Sequence, residues 1–238
     1  MNSAIRNSHV RLLFVFTAIV CCTAPAVAQD LELQQRVVEM KQAAAMNKQE
    51  LMQYTWQEQV STILKGEEKK QEHFQVQLGP DGKPQEVSLD PPANPEPHRG
   101  PLIKHIEEKK KEEYKEYADQ IKELIQQYVP PEKDLLEQAF QRGNIMIGLA
   151  PGAEAQYRMV ISNYLKKGDN MTLVIDKAEK SLASISIASY MEDPKDAVNV
   201  SVEFAKIPGG PNYVASETIN GVKKELTIQI LSTNYRKR

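Results

Sequence analysis

From Asn144 to the C-terminus, apolar and polar residues alternate in stretch after stretch, cut only by short turns. "AVNVSVEFAKI" sets Val198, Val200, Val202 and Phe204 against Asn199, Ser201 and Glu203. "NMTLVIDKAEKSLASISIASY" puts Met171, Leu173 and Ile175 on one side, and past a charged turn Ala183, Ile185 and Ile187 resume the pattern. A period of two is that of a strand with one dry and one wet face. "NIMIGLA", "QYRMVISNYL", "YVASETI" and "ELTIQIL" bring the number of such stretches to seven. The turns between them, such as "KKGDN" and "PGGPN", are too short for crossovers, so the strands must run as an antiparallel meander.

The first half adds three more strands. In "YTWQEQVSTIL", Tyr54, Trp56, Val60, Thr62 and Leu64 share a side, with Gln57, Gln59 and Ser61 opposite. "KGEEKK" reads as a polar turn, and "EHFQVQL" alternates through Phe74, Val76 and Leu78. "GPDGK" supplies the Pro, Asp and Gly of a tight turn before "PQEVSL".

Three stretches change to the helical period. Residues 31–52 carry Leu33, Val37, Met40 and Ala44 at helical spacing. "LIKHIEEKKKEEYKEYADQIKELIQQYV" has apolar positions at Ile103, Ile106, Tyr114, Tyr117, Ile121, Leu124, Ile125 and Tyr128 around a Lys/Glu middle. That middle reads as solvated, with Glu–Lys pairs along the helix. Pro130 and Pro131 stop this helix, and "EKDLLEQAFQR" forms another that ends at Gly143. "DPPANPEPHRGP", Asp90–Pro101, reads as a stiff exposed connection.

The order is therefore helix, three strands, two helices, seven strands. A sheet of this size curls or splits rather than staying flat. A half-barrel has a concave mouth that a mid-chain helix pair can cover. The expected fold is α+β: a curved antiparallel sheet of about ten strands, forming an open half-barrel under two or three helices.

The N-terminus reads as an export signal. Arg6 and Arg11 precede the apolar "LLFVFTAIVCC", and Ala26–Ala28 gives a small-x-small site, so cleavage is expected after Ala28. Cys21 and Cys22 would leave with it, and residues 29–238 would form one domain without disulfides in the periplasm or outside the cell. The formal charge of −2 becomes about −4 once Arg6 and Arg11 are lost, which argues against a nucleic-acid partner. No later stretch is apolar enough for a stable membrane span.

In element order, residues 31–236 resemble the LolA/LolB-like lipoprotein-localisation superfamily, most clearly at "GPDGKPQEVSL" and "LKKGDNMTLVIDKAEKSLASISIASY". The resemblance implies a periplasmic half-barrel, lidded by helices, that holds the acyl chain of a lipid or lipoprotein. The proline-rich connection and the Lys/Glu-rich helix start depart from that superfamily's hydrophobic lid.

No chemistry-bearing motif competes with this. His73, His98 and His105 have no metal-ligand spacing, no G-x-S-x-G occurs, and the prolines of "PGGP" spoil a phosphate loop. No catalytic residue, metal or cofactor is expected. The inward faces supply the binding residues: Tyr54, Trp56, Phe74, Met171, Leu173, Ile175, Ile185, Ile187, Val200, Val202 and Phe204 as one concave lining, with Ile121, Leu124 and Ile125 on the lid. Two readings stay open. One is an acyl-chain carrier or sensor. The other is an envelope domain with a packed core that holds a protein partner. They differ in the space beneath the same residues.

Overall fold

Strands that alternate this regularly bury one face, and here they bury it in a single sheet. A computed structural model describes residues 42–91 and 101–238, and the side chains of all of these except 101–108. The described residues belong to one compact unit. The expected signal segment and most of the proline-rich connection lie outside them.

Helix α1 covers 42–51. Strands β1 (Tyr54–Leu64), β2 (Glu67–Leu78) and β3 (Pro84–Ser88) follow, then helices α2 (Pro101–Gln126) and α3 (Lys133–Gln141). Seven strands complete the chain: β4 (Ile145–Ala150), β5 (Ala153–Ser162), β6 (Asn170–Asp176), β7 (Ser181–Tyr190), β8 (Ala197–Lys206), β9 (Asn212–Gly221) and β10 (Leu226–Lys237). All ten strands join one antiparallel sheet in the order β3-β2-β1-β10-β9-β8-β7-β6-β5-β4. β1 pairs with β10, so the chain's two halves meet mid-sheet, and β3 and β4 are left as open edges.

"KGEEKK" is not a turn as a whole. Lys65 and Gly66 alone turn the chain, both with positive φ (54° and 78°), as a two-residue hairpin of matching twist requires. Glu67 onwards is already strand. Its charges are exposed, which hid the strand's start in the sequence.

Register aligns the inward side chains in rows. One row runs Thr62, Ile228, Ile219, Val200, Ile187, Met171, Ile161, Ile145. The next runs Val60, Ile230, Glu217, Val202, Ile185, Leu173, Met159, Ile147.

Helices α2 and α3 cover the end of this face nearest the β5–β6, β7–β8 and β9–β10 turns. Ile121, Tyr128, Ile161, Met171 and Val198 lose essentially all solvent contact there. Each such burial contributes roughly 1.5–3 kcal/mol. Gly221 makes the close approach possible: a Cβ on it would lie 2.6 Å from Tyr117 Cε1 and 2.7 Å from Ile121 Cδ1.

Two buried tyrosine–aspartate bonds fasten the lid. Tyr117 donates its hydroxyl to Asp196 Oδ1 at 2.5 Å, and Tyr128 to Asp169 Oδ2 at 2.6 Å. Asp169 also accepts the backbone N–H groups of Tyr164, Leu165 and Lys166. The Tyr164 hydroxyl accepts from the N–H of Glu132, which ties the start of α3 to the same turn. Burial, and then the neighbouring aspartate, push the Tyr117 and Tyr128 hydroxyls well above the usual tyrosine range.

Candidate functional site

The other end of the concave face is built differently. β9 and β10 pair only from Gly221 and Leu226 to Ser216 and Leu231. Beyond that, β10 pairs only with β1 and β9 only with β8. A bulge then reorders β10: Thr233 faces Gln57, but Arg236 faces Thr55. Asn234, at φ 56°, absorbs the extra residue, as a bulge needs. Tyr235 thereby stacks on Trp56, with ring centroids 5.3 Å apart, and the Tyr213 ring meets Tyr235 at a tilt of 39°, with centroids 4.1 Å apart.

Helix α1 crosses this end. Leu51 and Met52 pack on the cluster of Trp56, Val76 and Leu78. The Asn47 side chain accepts from the Asn212 N–H at 2.6 Å and donates to the Asn212 carbonyl at 2.8 Å, which pins the helix to the start of β9. Between α1 and the rim of the sheet lies a cleft of about 770 Å³, the size of a small-ligand site. Its apolar lining includes Ala43, Met46, Leu182, Phe204 and Pro211, and Glu179 and Lys206 pair at its edge.

Two of the carboxylates on this face are drawn in among its apolar side chains. Glu217 occupies the aliphatic row between Ile230 and Val202. Glu58 lies one row further on, aligned with Ser232 and Phe74. The Trp56 indole N–H donates to Glu58 Oε1 at 2.6 Å. Burial raises the Glu217 carboxyl above the usual glutamate range, and the charge of Glu58 raises it further. Burial raises Glu58 too, against the lowering effect of the Trp56 bond and with a further push from Glu86. Among the described residues neither carboxylate has a cationic partner. Burial also lifts the Tyr235 hydroxyl far above its ordinary range.

The eleven residues expected to form one lining are divided. Met171, Leu173, Ile185, Ile187 and Val200 are core, filled from above by Tyr117, Ile121, Leu124 and Tyr128. Ile121 and Leu124 belong to that core, and Ile125 packs against it. Val202 and Phe204 sit at its margin, half-buried. Ile175, paired with Tyr157 and Leu182, is also half-buried. Trp56 and Phe74 belong to the second cluster, under α1. Tyr54 is buried against the β8–β9 turn, where a Cβ on Gly210 would lie 2.9 Å from its hydroxyl.

Sequence reasoning missed Glu58 and Glu217, although the signal was present. Glu58 shares its parity with Trp56 and Val60, and Glu217 with Ile219. Elsewhere, His73 Nδ1 lies 2.9 Å from Asp90 on the opposite face, and hydrogen bonds from the His73 backbone and ring hold that carboxyl below its usual range. Among the described residues no three His, Cys, Asp or Glu side chains converge as a metal site would require. No described helix is long and apolar enough to cross a membrane.

Compared with protein-family models, curated proteins and solved structures, the chain matches none.

Proposed function

We propose that this is a non-enzymatic, LolA/LolB-like protein of the cell envelope, periplasmic or secreted, that takes up an acyl chain of a lipid or lipoprotein as carrier or sensor. The chain enters through the cleft beside α1 and lies on the part of the concave face that α2 leaves uncovered. The observation that carries this reading is the half-covered sheet. Val60, Val202, Phe204, Ile219, Ile228 and Ile230 point to the concave side yet stay partly exposed, and of these Phe204 also lines the cleft of about 770 Å³. Each methylene buried there contributes about 0.8 kcal/mol, so a short run of them suffices for binding. The export signal read in residues 1–28 and the antiparallel half-barrel topology both suit an envelope carrier.

Organic extraction of the purified protein followed by mass spectrometry tests the reading, with titration of a fluorescent fatty acid alongside. Co-purifying lipid and saturable binding, both reduced in Phe204→Glu, are expected. Absence of lipid together with absence of binding would remove the proposal.

A second reading rests on the sheet edges. Met146, Ile147 and Leu149 on β4, and Val87 on β3, are large, apolar and exposed. Edge strands of this kind are surfaces to which another protein's strand can add. That reading, an envelope interaction domain, gains if the extract is empty and a partner protects β4 from hydrogen exchange.

A further inference from the structure

Glu217 is the single charged residue in a row of eight cross-strand neighbours that is otherwise aliphatic from Val60 to Ile147. A carboxylate in such a row costs stability and, if the face only packed, would have no use there. Glu58 stands diagonally across β10 from it, on the same face. We propose that these two carboxylates gate the apolar floor by pH: ionised, they hold water on it and repel an acyl chain, and protonated, they let the chain settle. This rests on the reading of that floor as an acyl-chain site and adds its regulation.

The groups that face the pair support the assignment. From β1 comes the Trp56 N–H, which already binds Glu58. From β10 come the Ser232 and Tyr235 hydroxyls, and from the start of β9 the Tyr213 hydroxyl. From β3, Glu86 adds a further negative charge. On β2 the same face carries Lys70 and Glu72, but Lys70 is paired with Glu72 at 2.7 Å. From β8 only Val202 and Phe204 face inward beside Glu217. Leu51 at the end of α1 and Met52 just past it pack on Trp56, Val76 and Leu78, and the α1 charges Lys48 and Glu50 are exposed. From α2 the buried side chains are Tyr117, Ile121 and Leu124, and the Tyr117 hydroxyl is committed to Asp196. No cation among the described residues is therefore placed to neutralise the two acids. Proton uptake is the remaining way to make the floor neutral, and burial, with the repulsion of Glu217 by Glu58 and of Glu58 by Glu86, moves that uptake upward in pH.

Nile red, an uncharged apolar fluorophore, is titrated into the whole protein at about pH 4, below the usual glutamate range, and at about pH 7.5, well above it. The wild type should bind several-fold more tightly in acid. The double variant Glu58→Gln/Glu217→Gln should bind equally at both pH values, and as tightly as the wild type in acid. Glu58→Gln keeps an acceptor for the Trp56 indole, and Trp56 is the only tryptophan in the chain, so its fluorescence reports the fold and the titration together. The wild-type Trp56 signal should titrate above the usual glutamate range, and lower in Glu86→Gln, which removes the charge that pushes Glu58 up. Equal wild-type binding at both pH values, or a pH dependence that survives in the double variant, overturns the gate while leaving the binding site. Failure to bind Nile red at either pH removes the site and the gate with it.

Discussion

The two ends of the concave face have the same strands beneath them and opposite construction above. At the α2 end, aliphatic side chains meet a helix face, and every polar group drawn inside is matched. Asp169 takes three backbone N–H groups and a tyrosine hydroxyl, and Asp196 takes another. At the α1 end the strands part, three aromatic rings meet across the gap, and two glutamates are drawn in among the apolar side chains. The first end is a completed core. The second is a half-covered surface beside a cleft, and it is there that we propose a ligand binds. A buried carboxylate is tolerated when donors surround it and is a liability when they do not. The same residue type therefore marks structure at one end and the candidate site at the other.

Mutations at the two ends should separate by size and by sign. Asp169→Ala would strand three backbone donors and leave the Tyr128 hydroxyl only its bond with Ser189 Oγ at 2.7 Å, and should cost on the order of 4 kcal/mol in urea unfolding. A loss below about 1 kcal/mol would mean that water replaces the carboxylate and the end is not closed. Gly221→Ala would drive a methyl into Tyr117 and Ile121, with an expected loss of about 1–3 kcal/mol. Unchanged stability there would show that α2 is free to shift. Asn47→Ala removes the clamp that holds α1 to β9 and should cost about 1 kcal/mol, read best as faster hydrogen exchange in α1 alone.

The smallest effect should carry the opposite sign. The folded-state pKa of Glu217 is raised, so protonation favours the folded protein. Its contribution is fully present below the unfolded glutamate pKa and is lost as pH rises through the folded value. Glu217→Gln should therefore raise the melting temperature at neutral pH and leave it unchanged in acid. An equal gain at both pH values would point to packing instead of charge.

Most of the fold was legible because a one-faced strand cannot hide its period. The hairpin from Asn170 to Tyr190, the lid helix and its stop at Pro130 can all be read directly. What the sequence concealed lay where the period breaks or a residue acts at a distance. The β10 bulge at Asn234 turns Tyr235 onto Trp56, and alternation alone would place it on the other face. Asp169 and Asp196 look like ordinary turn residues, since nothing local says that Tyr128, just past α2, and Tyr117, within it, will reach them from 41 and 79 residues away. Of the candidate site, the aromatic and aliphatic residues were visible as parity. Their division between a packed end and an open one was not, because it depends on how far α2 extends over the sheet. Glu58 and Glu217 were readable in principle: each is an acid at an inward parity.

The division of the face can be tested at Trp56, which lies at the α1 end and is the only tryptophan. A lysophospholipid brominated midway along its chain quenches indole fluorescence on contact. Titrated below its micelle concentration at about pH 4, below the range to which burial raises the two acids, it should quench Trp56 to saturation. Phe204→Glu should abolish the effect. Undiminished Trp56 fluorescence over the same range would mean that no acyl chain reaches the open end, and would contradict the proposal that this half of the sheet is a binding surface.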